Sequence, residues 1–440
     1  MARRRIGPRR LALAAAGLLC GSIATAQSSP GWGRVSLFGQ GIWSPSAADG
    51  SRSFLGTYSG GLTIHSPSST EPGFDYGIDL RAWQSTVENS DPRVSLFEAF
   101  VGGRTRDGTF GLWAGQMWLT ELGALGSVGG VLAAASPKSA GPLRFRLGLF
   151  AGVEPKILEV GYLQDVKKGG GFLALEGSRG LHSALGYVLV KNGSLKERSV
   201  ITLTNFIPIG NWLMLYQAGE YDLIKPGGLG KSGLNYIFAN LRVVPVQRID
   251  LQATFHHGRS IDARTITDDQ LNGRPVDPRL LDGFLFESLG GRVSFEILPT
   301  LRVYAGYARE RGNRGDPTAD RATLGLYASN LFKSGFDLTV ADNRFSRSGG
   351  NGSYDSWYAS LGRSLGPKVY LTAEYASSLS VVRFTDSGGV TVETRPKSRR
   401  YGLTGLVNLT RTLGVLLTVE ELREEESREE RGLLGLTFRF

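Results

Sequence analysis

The chain holds one cysteine, four histidines and three methionines in 440 residues. That excludes a Cys/His zinc site and a disulfide framework. After residue 26 no apolar run reaches 18 residues, so no transmembrane helix is expected. Charged residues make up 20% and the apolar set 41%, the latter below the ordinary ~45–50%. With so few core-forming aliphatics, a helical bundle or an α/β enzyme is not expected. What the chain does have is glycine, 61 residues of it, and aromatics at 10%. The glycines follow no collagen period and form no disordered tract.

The formal net charge of +10 is misleading. Arg3, Arg4, Arg5, Arg9 and Arg10 crowd the first ten residues without an acid beside them. An apolar stretch from Leu11 to Ile23 follows, and then Ala24-Thr25-Ala26. A basic segment, a short apolar segment and an A-x-A site describe a secretory signal peptide, residues 1–26, cut after Ala26. Its apolar run is shorter than the ~20 residues a spanning helix needs. Without those arginines the charge falls to about +5, too mild and too scattered for nucleic acid. Cys20 leaves with the signal, so the exported protein carries no thiol.

The remaining chain, 27–440, alternates with a period of two. Leu434, Leu436, Phe438 and Phe440 alternate with Leu433, Gly435, Thr437 and Arg439. Ile249, Leu251, Ala253 and Phe255 alternate with Asp250, Gln252, Thr254 and His256. Phe336-Leu338-Val340, Val369-Leu371-Ala373-Tyr375 and Leu143-Phe145-Leu147-Leu149 behave alike. A soluble sandwich and an outer-membrane barrel both give that pattern. No linker or domain-sized repeat supports the first. Aromatics at strand ends (Trp43, Trp118, Trp212, Tyr221, Tyr307, Phe345, Tyr401) support the second. Connection lengths point the same way, longer ones alternating with short turns such as Asp107-Gly108 and Gly366-Pro367. The expected fold is all-β: a transmembrane antiparallel up-and-down barrel with an even strand number between 16 and 22, the best count being 22. The series runs from 34–43 to 432–440. Its fifth to ninth members are 109–118, 143–153, 156–165, 171–177 and 181–191, with 119–142 left as a long loop.

The signal, the strand pattern and the ending Leu434-Gly435-Leu436-Thr437-Phe438-Arg439-Phe440 resemble bacterial outer-membrane β-barrel proteins of the porin-like kind. The resemblance implies residence in the outer membrane, with lipid and lipopolysaccharide around the barrel. It also implies that Leu436, Phe438 and Phe440 are an assembly signal read by the barrel-assembly machinery. No plug domain of the TonB-dependent type fits before the first strand. In porins the loop after the fifth strand folds inward and narrows the channel. Segment 119–142 takes that place, with Glu121, Val128 and Leu132 as candidate constriction residues. It lacks the acidic cluster usual in that loop.

Strand parity gives the inner wall Asp79, Arg81, Glu98, Arg144, Arg146, Glu159, Arg242, Asp250, Arg292, Glu296, Arg302, Asp337 and Glu374. Both signs are present in similar number. The wall is therefore hydrated rather than single-signed, either orienting polar solutes or forming cross-strand ion pairs. Arg144 and Arg146 are two apart and share a face, open to pairing with Glu98 or Glu159. Loop Arg259–Leu285 reads as a solvated surface loop, and Asp268-Asp269 within it lack the spacing of a calcium loop. The run Glu420–Arg431 reads as a hairpin tip or a contact for divalent cations and lipopolysaccharide headgroups. His256, His257 and Ser260 lack an acid at fixed spacing, so an enzyme is not expected. Nor is a cofactor or metal. The leading functional expectation is a porin-like channel for passive diffusion of small polar solutes. The alternatives are a conduit for polysaccharide or a periplasmic partner, and a structural or adhesive barrel. A homo-oligomer is compatible with each.

Overall fold

The computed structural model describes residues 31–45, 52–66, 72–87, 90–137, 141–313, 316–348, 352–385, 391–425 and 427–440. The expected signal segment, residues 1–26, lies outside them. Twenty-two antiparallel strands form one closed barrel. In chain order they begin with β1 (Trp32–Pro45), β2 (Arg52–His65), β3 (Gly73–Ser85), β4 (Arg93–Arg104), β5 (Phe110–Trp118) and β6 (Ser127–Ala135). Next come β7 (Arg144–Pro155), β8 (Tyr162–Glu176), β9 (His182–Asn192), β10 (Leu195–Ile209), β11 (Leu213–Asp222) and β12 (Gly233–Val246). They continue with β13 (Ile249–Ser260), β14 (Phe284–Leu298), β15 (Leu301–Arg311), β16 (Ala319–Ala328), β17 (Phe336–Arg347) and β18 (Gly352–Ser364). The last are β19 (Val369–Thr385), β21 (Lys397–Asn408), β22 (Leu413–Glu424) and β23 (Arg428–Arg439). Short β20 (Thr391–Thr394) pairs only with the end of β19 and is no part of the ring.

Each strand pairs with its sequence neighbours, and β1 pairs with both β2 and β23. The seam is completed by Gly33 and Phe440, whose backbones exchange two hydrogen bonds of 2.7 and 3.0 Å. Among the described residues closure gives each of the twenty-two ring strands a partner on both sides, which is the condition for strands to cross hydrocarbon. The outward face carries the apolar partners of the alternation: Leu289, Leu324, Leu403 and Leu417 are among its most exposed side chains. Trp43, Tyr221, Tyr307 and Tyr401 share that face near strand ends, as interfacial girdle residues do. Among the described residues no helix is long and apolar enough to cross a membrane.

The expected count of 22 is met, but two of its members differ. Residues 127–135, expected in a loop, are wall strand β6, paired with β5 and β7. Residues 156–165 and 171–177, expected as two strands, are a turn at 156–161 followed by the single long strand β8. One strand missed and one divided cancel in the total. Connection lengths also alternate less than expected. Short 210–212, 247–248 and 299–300 do alternate with long 223–232 and 261–283, yet β9 and β10 are joined by 193–194 alone.

Candidate functional site: the inward segment and the cavities beside it

Beyond the wall the β5–β6 hairpin continues inward. The Leu119 N–H donates to Gly126 O at 2.9 Å, and Thr120–Leu125 close the tip as a 3-10 turn. Gly123 supplies the positive φ of 57° that this reversal needs. Leu122 is fully buried against the inner faces of β9 and β10. The wall makes room at Gly186, where a Cβ would lie 2.4 Å from both Leu122 Cδ2 and Thr202 Oγ1. Glu121, only 3% exposed, is anchored by the Arg146 guanidinium. Arg146 reaches Glu176 as well, at 3.3 Å, and lies 5.4 Å over the Phe172 ring. A carboxylate this buried is tolerated only because it is paired. Arg146 is therefore not paired with Glu98 or Glu159. Glu98 sits 3.6 Å from His65, and Glu159 lies in the 156–161 turn, 3.0 Å from Lys156.

Val128 and Leu132, expected in a constricting loop, are inward side chains of the wall strand β6. They belong to an apolar cluster with Ala134, Phe150, Phe172, Ala174, Val188 and Leu122. The inner wall from β6 to β9 therefore carries an apolar patch, and the tip of the inward segment packs on it. Of the three expected constriction residues, only Glu121 lies in the inward tip.

The segment has cavities on both sides. One, of about 470 Å³, is bounded by Trp118, Thr120 and Glu121 and by Trp113, His65 and Asp75 on the wall. Here the Trp113 indole N–H donates to Asp75 at 2.8 Å, and Trp32 stacks on His65 with centroids 5.1 Å apart. The other, of about 520 Å³, lies between Trp118, Thr120, Gly123 and Ala124 and the wall residues Thr204, Tyr216, Glu220 and Tyr236. A third, of about 400 Å³, shares Glu220 and Tyr236 with the second and opens toward Arg259, Phe284 and Phe286. Trp118 thus lines the lumen and is not a girdle residue. Phe345 also departs from the girdle, since its partner Arg321 faces inward to meet Glu310 at 2.8 Å.

An inner-wall aromatic strip was not legible in the sequence. Tyr216 and Phe238 lie 5.8 Å apart, Tyr236 and His256 5.7 Å, and His256 and Phe286 5.2 Å. The rings come from β11, β12, β13 and β14, so no local spacing announces them. Inward parity at aromatic positions was the one available signal.

The expected lumen charges mostly neutralise one another. Asp250 meets Arg242 at 2.5 Å, Arg302 meets Glu296 at 3.2 Å, Arg81 meets Asp79 at 3.5 Å and Arg400 approaches Glu374 at 3.9 Å. Asp337 accepts from the Tyr370 hydroxyl at 3.2 Å. Arg292 lies 4.0 Å over the Tyr304 ring. Arg144, exposed on β7, sits two residues before Arg146 on the same face. Beside the second cavity, Arg198 is held by Glu220 and Asp222, each at 3.1 Å.

Residues 261–283 are not a freely solvated loop. They contain α1 (Ala263–Leu271), N-capped by Asp262, whose side chain accepts from Thr265 N at 3.0 Å. Ile266 and Thr267 are fully buried, and Arg264 ties the helix to Glu197 at 2.5 Å and Glu154 at 3.2 Å. The two acids considered for calcium are otherwise engaged: Asp268 accepts from Asn192 at 2.6 Å and Asp269 meets Arg274 at 2.9 Å. His257 turns outward to Glu287 at 2.7 Å while His256 joins the inner strip. In the run Glu420–Arg431, Glu421 pairs with Arg423 at 2.6 Å and with Arg428 at 2.7 Å.

No family model matches the chain, and no curated protein matches it. Solved structures do. Acinetobacter baumannii OccAB4 is 12% identical, with 94% of this chain and 99% of that one covered, at a TM-score of 0.43. Pseudomonas aeruginosa OpdQ is 10% identical over 93% and 98%, with a TM-score of 0.42. Pseudomonas aeruginosa OccK7 (OpdD) is 13% identical over 93% and 98%, again at 0.42. The described residues themselves form a closed 22-strand antiparallel β-barrel with an apolar outward face.

Proposed function

We propose that the protein is a channel for passive diffusion of small polar solutes across the outer membrane. The observation that carries this reading is the inward segment 119–126, packed on β9 and β10 with cavities of about 470 and 520 Å³ on its two sides, as a partial constriction would be. Its anchor, the Glu121–Arg146 pair, fixes the narrowing in place. Paired wall charges of both signs suit hydrated solutes without a strong preference for ion sign. Liposome swelling with a graded series from glycerol to a trisaccharide tests the reading. Swelling that falls off with solute size supports it, and vesicles as tight as protein-free controls refute it.

The strand number favours a second reading. Barrels of 22 strands enclose a lumen that other proteins fill with a plug, and a conduit accommodating a periplasmic partner or a polysaccharide chain would use that width. In that case purified protein alone gives large, size-indifferent permeability instead of a graded one.

A further inference from the structure

Resting on the channel reading, the inference concerns what the channel selects. We propose that the cavity between Trp118 and the β11–β12 wall binds neutral sugar rings, making the aromatic strip a carbohydrate track. Trp118, 44% exposed inside the barrel, bounds the cavity on one side, and Tyr216 and Tyr236 bound it on the other. Flat apolar faces set on opposite sides of a cleft suit the C–H faces of a pyranose, while polar groups between them meet its hydroxyls. Glu220 and Thr204 line the cavity between the rings, and Thr204 Oγ1, buried without a hydrogen-bond partner among the described residues, reaches a ligand only if its side chain rotates.

Electrostatics select a neutral ligand. Two acids, Glu220 and Asp222, and two arginines, Arg198 and Arg259, lie in or beside the cleft and its outer continuation. Arg198 is already shared between the two carboxylates, and Arg259 donates to the carbonyl of Asp282 at 3.2 Å. Two acids against two arginines leave the cleft and its outer continuation without net charge to draw in an ion. The track also continues. The cavity shares Tyr236 and Glu220 with the outer one, and Trp118 and Thr120 with the one lined by Trp113 and Trp32. A chain of rings could then pass from one aromatic to the next around the inward segment.

The test uses the processed protein in a polyoxyethylene detergent, which carries no sugar headgroup, and in planar bilayers. Calorimetric titration with maltoheptaose measures binding, and interruption of ionic current by the same sugar measures occupancy of the path. Binding with current block is the expected result. Trp118→Ala and Tyr216→Ala should each weaken both about tenfold, the loss of one stacking partner, and Trp118→Phe should recover most of the affinity. Thr204→Val should weaken binding less. Current without binding or block overturns the sugar inference and leaves the channel reading standing. Binding without any current does the reverse. Affinity unchanged in both alanine variants would place the sugar elsewhere and overturn the assignment of this cleft. If an alanine variant fails to fold, judged by heat-modifiable migration, wild-type binding and the Trp118→Phe variant still decide.

Discussion

Glu121 determines where the inward segment sits. It is nearly inaccessible, and its charge is balanced by Arg146 with Glu176 as a second acid. Removing one partner of such a pair strands the other, which is why the expected cost is large compared with a surface ion pair. Glu121→Gln keeps the shape and removes the charge. We expect the tip to be held less firmly by about 1–3 kcal/mol, seen as added open-channel noise in single-channel records at unchanged mean conductance. Records as quiet as those of the parent would show that the pair does not hold the tip. Gly186 provides a complementary probe. Any side chain there meets Leu122 Cδ2 and Thr202 Oγ1, so Gly186→Val should push the tip off the wall. Cleavage by an added protease within 119–126 should then become faster, and resistance equal to the parent would contradict the packing.

At the scale of strands, the alternation in sequence was a good guide wherever one face meets lipid and the other meets water. Ile249–Phe255 in β13, Phe336–Val340 in β17, Val369–Tyr375 in β19 and Leu434–Phe438 in β23 follow it. It failed at β6, where Val128 and Leu132 point into an apolar cluster and Val131 points outward. With both faces apolar the contrast between them vanishes, and Gly129 and Gly130 read as loop. It failed again at β8, where 166–170, with Gly169 and Gly170, was left between two expected strands. A Cβ at Gly170 would come within 1.9 Å of Tyr187 O, so that glycine serves close strand approach inside a continuous strand. Glu121 stood out in the sequence as a candidate because it is one of the few charges in a long apolar segment. The aromatic strip and the docked helix α1 were not, because both depend on which strands become neighbours. The inside/outside assignment can be tested at β21. Leu403→Arg, on the outward face at mid-strand, should destabilise the barrel by roughly 2–4 kcal/mol. Thr404→Arg points inward, where Thr404 meets Thr418 at 3.2 Å, and should be tolerated. Urea unfolding in micelles reads both, and equal damage would invert the assignment.

For the molecule as a whole, closure and narrowing are separate properties. Closure depends on the seam between β1 and β23, where Phe440 exchanges backbone hydrogen bonds with Gly33 and stacks on Phe438 at 5.8 Å. Deleting Phe440 should reduce heat-modifiable protein in the outer membrane while leaving the conductance of the inserted fraction unchanged. Normal insertion would refute that role. The proposed narrowing is assigned to the hairpin tip, Thr120–Leu125. Removing 123–135 would take out a wall strand, so the informative variant replaces Thr120–Leu125 by Asn-Gly, a two-residue turn suited to the Leu119–Gly126 pair. The most direct measurement of the central claim is the single-channel conductance of this variant beside the parent in planar bilayers. If the tip restricts an open lumen, the parent conducts and the variant conducts severalfold more. Equal conductance in the two, or no current from either, would contradict the account.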